Sequence, residues 1–324
     1  MLPGIGPPGV PSPAEHSNPI FEDSMPIPRS QCDAWQSVGA TKAAQATHEA
    51  VRAALAHDQS SLRGRDFEVF LQGSYRNGTN VRGDSDVDVV VQLNQIYHYN
   101  TDTLPPEQLA SFKQHFSPAS YSLSSFDNDV QASLVRYFGA GRTKVRNKCI
   151  TVSGGSGTLD ADVVVAAQYR RYKQFGTLLT QDYSEGITFW GRQDHLQIIN
   201  YPKLHYANGV TKNSESHDNY KPAVRMFKNA RTFLVENGKL AEATAPSYFI
   251  ECLLFNAPAN HFVDNSFDTF YNILNWLHET TDWSKFVCQN WEYYLFGSSN
   301  VQWSLTDAKT FKTAVVALWN EWGK

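Results

Sequence analysis

Asp86 and Asp88 stand two residues apart at the head of the segment Val87–Leu93, which reads as a strand. In a strand, residues i and i+2 point to one face, so the two carboxylates lie side by side. Such a pair repels itself and favours water or a cation. Carboxylates at the lip of a buried strand therefore suggest a divalent-metal site, and hard oxygen ligands suit Mg2+ or Mn2+. A second apolar segment, Leu159–Ala167, carries Asp160 and Asp162. Neighbouring strands run about 4.8 Å apart, so a carboxylate there reaches the same ions. Asp162 is the expected third ligand, because Val-Val-Val-Ala follows it as in a buried strand. Asp160 faces the same side, and spacing leaves open whether it shares the role. Two ions about 3.5–4 Å apart would activate an attacking hydroxyl and hold the leaving oxygen of a phosphoryl group.

Gly73-Ser74 supplies the complementary half. Glycine lets the backbone approach a phosphate closely, and amide hydrogens with the Ser74 hydroxyl can then bond anionic oxygens. A lone Gly-Ser is usually a turn, and a lone Asp-x-Asp is usually solvated surface. The ordered set differs: strand Phe67–Leu71, Gly-Ser, a short connector, Asp-x-Asp on a strand, then a carboxylate on a third strand. That order places a phosphate grip and a metal site in one cleft.

The elements that must hold these residues fit a two-lobed chain. Its 324 residues suffice for two lobes at about 150 residues each. Residues 1–30 hold 8 of the 15 prolines and read as a disordered leader. Ser30 with Asp33 resembles a capping box opening one long helix to about His57, bent at Gly39. Residues 31–185 read as an α+β core. Residues 186–324 read as a mostly helical lobe, from the aromatic-rich spacing of Val224–Leu234, Pro246–Phe255, Phe267–His278 and Asp307–Trp322. Between the second and third strands lies a basic stretch with Arg136, Arg142, Lys144, Arg146 and Lys148, read as solvated surface or a ligand contact.

Composition excludes several classes. With 28 Lys plus Arg against 32 Asp plus Glu, the net charge is −4, unlike a strongly basic nucleic-acid coat protein. Cys32, Cys149, Cys252 and Cys288 are far apart, so neither a disulfide scaffold nor a zinc ribbon is expected; free thiols in a reducing cytoplasm are. No run of 18 apolar residues exists, and no Lys or Arg precedes Arg29, which argues against a membrane span and a signal peptide. The ten histidines form no triad or metal spacing, and His195, His205 and His217 read as loop residues.

The set Gly73-Ser74…Asp86-Val87-Asp88…Asp162 resembles the nucleotidyltransferases of the DNA polymerase β-like superfamily. Within it, the string Gly73–Asp88 is similar to the bacterial cGAS/DncV-like enzymes, the CD-NTases. These are relatives of cyclic GMP–AMP synthase and the 2′,5′-oligoadenylate synthases. The resemblance implies a lobe with a mixed sheet, flanking helices and a long spine helix, plus a helical C-terminal lobe, with the active site in the cleft between them. It implies condensation of NTPs, ATP among them, into a cyclic di- or trinucleotide with release of pyrophosphate. It implies two Mg2+ or Mn2+ ions on Asp86, Asp88 and Asp162. The product would switch on a separate effector protein in cytoplasmic anti-phage (CBASS) signalling, with neither a membrane nor direct nucleic-acid binding required. Val224-Arg225-Met226-Phe227-Lys228 looks like the family's phosphate-binding helix, with Lys228 the match. Pro246-Ser247-Tyr248 looks like its Ser-Tyr helix start, where the serine contacts triphosphate and the tyrosine stacks on a base. By residue type alone, Ser247 is equally a helix cap, and Tyr248 is more often a core residue than a base platform. Two rival functions are an RNA-end or other-acceptor transferase and a catalytically silent nucleotide sensor; filled positions at all three carboxylates argue against the sensor.

Overall fold

Runs of β-branched residues become strands, and the aromatic segments with helical spacing become helices, in the computed structural model. The structure describes residues 25–39, 41–81, 86–115 and 119–323. In chain order the elements are α1 Arg29–Trp35, α2 Lys42–Ala56, β1 Phe67–Leu71, α3 Gly73–Asn77, β2 Asp86–Asn100, α4 Pro106–Gln114, α5 Leu123–Phe138, β3 Thr143–Val145, β4 Ile150–Val152, β5 Asp160–Thr177, β6 Thr180–Trp190, β7 Gln197–Asn200, α6 Pro202–Glu215, α7 Tyr220–Glu236, α8 Ser247–Phe255, α9 Ser266–Glu279 and α10 Leu305–Asn320. They divide into two compact units. A sheet unit takes residues 41–76 and 86–204, and a helical unit takes 25–39, 77–81 and 205–323.

The sheet unit is a mixed sheet ordered β1-β2-β5-β4-β3, with β6 on β5 and β7 on β6. β2 and β5 are parallel, and the other pairs are antiparallel. Alternation gives the sheet two chemically distinct faces. Val87, Val89, Val91, Ala161, Val163 and Val165 pack in one core with Val51 of α2 and Phe126 and Val130 of α5. Burying such a side chain contributes about 1.5–3 kcal/mol, which fixes the register of β2 and β5 against a one-residue slip. The opposite parity carries Asp86, Asp88, Asp160 and Asp162, and then Val90, Val164 and Ala166, which cluster with Ile187 and Phe189 of β6. Strand β1 has the expected bounds, whereas β2 and β5 run on well past theirs. β6 and β7 extend the sheet past residue 186, where helices were expected, so 186–204 belong with the sheet.

The helical unit is built from both ends of the described chain. Phe227 of α7, Phe270 of α9 and Trp319 of α10 stack in its core, at centroid distances of 4.4 Å for Phe227–Phe270 and 5.5 Å for Phe270–Trp319. From the N-terminal side, Ile27 and Cys32 are fully buried in the same core, and the Trp35 ring meets Trp322 edge-on at 5.6 Å. The Met25 amide donates to the Asn320 carbonyl at 2.9 Å, and the Trp322 amide donates back to the Met25 carbonyl at 3.1 Å. The proposed leader thus divides: residues 1–24 lie outside the described residues, while 25–30 pack into the helical unit. One long bent helix was expected to His57, but α1 and α2 are separate helices in different units. Gly39 lies between them because the chain passes close to Val81; a Cβ there would sit 2.7 Å from the Val81 carbonyl oxygen. The expected capping box does not form: Pro28 precedes α1, and Asp33 instead accepts from the Ser266 hydroxyl at 2.6 Å. No helix of the described residues is long and apolar enough to cross a membrane.

Candidate functional site

In the sheet unit, parallel pairing sets Asp86 opposite Asp160 and Asp88 opposite Asp162. Asp88 and Asp162 are therefore register neighbours on one face, as the period-2 pattern requires. The two β5 aspartates differ in employment. Exposed Asp160 accepts the Gly154 amide at 2.7 Å and so closes the 154–158 turn. Half-buried Asp162 accepts the Thr151 hydroxyl at 2.9 Å from its partner position on β4. Gly73 opens α3 against this face. Its φ is +65°, and a Cβ would fall 2.2 Å from Asp88 Oδ2. The Gln72 amide donates to the Asp88 carbonyl at 3.0 Å, which pins the turn to the strand. Glycine here serves a close approach to a carboxylate inside the protein, a constraint the sequence reading had tied to phosphate alone.

Among the described residues, no three His, Cys, Asp or Glu side chains gather as a ready-made metal cage. The donor set still fits Mg2+ or Mn2+, ions that take one or two carboxylates and complete their shell with water and substrate phosphates.

In the helical unit, Ser247 is the first residue of α8 and makes no capping bond; its Oγ accepts from Arg231 Nη2 at 3.3 Å. Arg231 Nε is buried and has no hydrogen-bond partner in the structure. Tyr248 stacks with His205 at 4.8 Å and with Trp303 at 5.4 Å, yet it keeps 38% of its surface exposed. It is neither a core residue nor an isolated platform.

Lys228, the match to the phosphate-binding lysine, lies on α7. It is fully buried, and its Nζ donates to the Thr79 carbonyl at 2.9 Å. Arg225 is likewise engaged, with Nη1 on the Gly78 carbonyl and Nε on the Gln36 carbonyl, both at 2.5 Å. The reason lies in the segment 77–81, whose polar backbone enters the helical core and needs donors. Glu251 completes this lattice. Its carboxylate accepts from Asn77 at 2.8 Å, Thr79 at 2.6 Å and His205 at 2.9 Å. Burial alone would raise the Glu251 pKa, but the His205 contact outweighs it and holds the carboxyl below its ordinary range. Burial opposes charge on His205 too, yet its contacts with Cys252 and Glu251 raise it to about 9. His205 is a buried residue of α6, not the loop histidine expected, while His195 and His217 lie outside helices and strands. One signal was legible: Glu251 interrupts the apolar run Tyr248–Phe255, and a buried carboxylate demands partners.

In the basic stretch, Arg136 and Arg142 are tied to the backbone carbonyls of Gln59 and Ser153, at 2.5 and 2.6 Å.

Comparison with known proteins identifies the family. A family model described as the cGAS/DncV-like nucleotidyltransferase C-terminal helical domain matches residues 207–320, and a nucleotidyltransferase domain model matches 53–109. A cyclic UMP-AMP synthase of Rhodothermus marinus is 46% identical over 300 residues, covering 93% of this chain and 100% of that protein. A cyclic nucleotide synthase of Staphylococcus haemolyticus is 38% identical over 302 residues, covering 92% and 100%. The structure of the Rhodothermus marinus CdnE c-UMP-AMP synthase with Apcpp and Upnpp superposes with a TM-score of 0.83 at 44% identity, covering 92% of this chain and 98% of that one. With full-length relatives at this identity and the Gly-Ser and paired-aspartate arrangement on its sheet, this chain belongs to the cGAS/DncV-like nucleotidyltransferases, the CD-NTases.

Proposed function

We propose that this chain condenses nucleoside triphosphates into a cyclic dinucleotide, with ATP as one substrate. The observation that carries the reading is the register pair Asp88–Asp162 beside the Gly73 turn, on a chain 46% identical to a cyclic UMP-AMP synthase. That similarity supports uridine and adenine as the bases.

Asp86, Asp88 and Asp162 would hold the divalent ions, Mg2+ or Mn2+, which when bound neutralise phosphate charge and lower the pKa of the attacking hydroxyl. The chain's own groups bind and orient. In the sheet unit, backbone amides from Gly73 onward and the Ser74 hydroxyl donate to triphosphate oxygens. In the helical unit, Ser247 and Arg231 offer donors to anionic oxygen, and the exposed part of Tyr248 offers a surface to a base. Lys228 contributes positive charge behind the segment that Thr79 belongs to, and its reach to phosphate requires release of the Thr79 carbonyl. A ribose hydroxyl gives up its proton to solvent as its oxygen attacks the α-phosphorus, the bond to the pyrophosphate oxygen breaks, and one pyrophosphate leaves for each phosphodiester formed. We read the product as a diffusible signal for a separate effector protein in anti-phage defence, made in the bacterial cytoplasm where NTPs are abundant.

Purified protein with four α-³²P-labelled NTPs and Mg2+ or Mn2+ should yield a phosphatase-resistant small product, and omitting one NTP at a time names the bases. The double variant Asp86→Asn, Asp88→Asn should lose product by more than about 10³-fold while its unfolding transition persists. Undiminished product in that variant would overturn the reading, and a ladder of phosphatase-sensitive polymer would replace cyclisation with end extension.

A further inference from the structure

Beside α5, its first turns, the end of β6 and the turn after it border an open cavity of about 410 Å3. Pockets for small organic ligands span about 300–1,000 Å3. The lining divides by chemistry. Leu123, Val165 and Trp190 make an apolar floor. Trp190 is 37% exposed, with its ring edge-to-face with His98 at 4.9 Å, so part of a large aromatic surface stays open. Such a surface accepts a flat ring.

Charged groups of both signs border the cavity. Its lining holds Lys148 and Arg192 against a single carboxylate, Asp127. Arg192 is fully engaged: it grips Asp127 at 2.5 and 3.2 Å and donates to the carbonyls of Arg146 and Cys149. Exposed Lys148, within electrostatic reach of Asp194, and Ser124 in the first turn of α5, where the helix end is positive, both line the cavity and leave donors for an anion. We propose that this cavity binds a planar aromatic anion, its ring on Trp190 and its anionic group between Lys148 and Ser124. None of Asp86, Asp88 and Asp162 lines this cavity, and the proposal stands whether or not cyclic nucleotides are the product.

Calorimetric titration of the full chain with 8-anilinonaphthalene-1-sulfonate, an anion that carries a flat naphthalene ring, tests it. The expected result is one saturable equivalent, about tenfold weaker in Lys148→Glu and absent in Ser124→Trp, which fills the cavity from an exposed position. Asp86→Asn, Asp88→Asn should bind as wild type. Uncharged N-phenyl-1-naphthylamine should bind at least about tenfold more weakly. Absence of a saturable site, unchanged binding in Ser124→Trp or in Lys148→Glu, or equal affinity for the neutral amine would each overturn the proposal. Circular dichroism of both variants, altered only at exposed positions, excludes misfolding as the cause of lost binding.

Discussion

Gly73 tolerates no side chain for two separate reasons: a left-handed backbone and the Asp88 carboxylate 2.2 Å from where a Cβ would stand. Gly73→Ala must displace either the turn or a carboxylate we place at the metals. The expected outcome is a fall in kcat of about 10²-fold with Tm lowered by only a few degrees, read by product formation beside thermal melting. The neighbouring aspartates of β5 separate by the same logic. Asp162→Asn should abolish product, whereas Asp160→Asn should loosen the 154–158 turn and leave most activity. Equal losses from the two would reverse the assignment of the third carboxylate. Legibility at this scale followed sequence distance. That Asp86 shares a face with Asp88, and Asp160 with Asp162, was readable because a period of two acts within one strand. Lys228 and His205 were not, because their surroundings come from Thr79 and Glu251, which lie far from them in the chain.

Helices α6 and α8 are joined through a buried charged pair, and the pH dependence of the helical unit follows from it. His205 has a folded pKa of about 9 against an ordinary 6.5. A raised pKa means its contribution is complete below about 6.5 and fades as pH rises through 9. Glu251 is shifted down from 4.5, so its share is complete above that value and is lost as pH falls through its lower folded pKa. The pair therefore stabilises most between pH 4.5 and 6.5. From 6.5 to 9 the difference in stability between wild type and His205→Gln should shrink by about 3 kcal/mol, measured by urea unfolding at each pH. A difference curve flat across that window would show that His205 is neutral in the fold. Glu251→Ala should cost about 3–5 kcal/mol, since it strips three donors of their acceptor. At this scale, strand and helix identities were legible from periodicity, and ends were not: β5 continues beyond Ala167 because β6 pairs with it, a partner that local pattern does not announce.

Both ends of the described chain contribute to one helical unit, and this arrangement escaped the sequence reading. A lobe boundary was sought as a single change of pattern, whereas the core of the helical unit is completed by Ile27, Cys32 and Trp35. No local periodicity links residue 27 to a helix near residue 319. The residues 205–323 alone should consequently unfold with low cooperativity and expose apolar surface, and addition of the 25–39 segment as a free peptide should sharpen the transition. Ile27→Ala in the whole chain should cost about 2–5 kcal/mol, as seen by denaturant midpoint. A fragment that melts as sharply as the intact chain would mean that the N-terminal segment packs without supporting the core.

Met25 pairs with the backbone on either side of Glu321, so the described chain nearly closes on itself. Joined there by a short linker, it becomes a ring that can be opened elsewhere without loss of a buried contact. The β5–β6 turn is suited to the cut, for Leu179 at its tip is 96% exposed. A circular permutant starting at Leu179 would carry 205–323 directly into 25–39 and bring those two pieces of the helical unit into one continuous stretch. Synthesis of that stretch would then precede the α2–β2 half of the sheet, which reverses the order in which a ribosome delivers the natural chain.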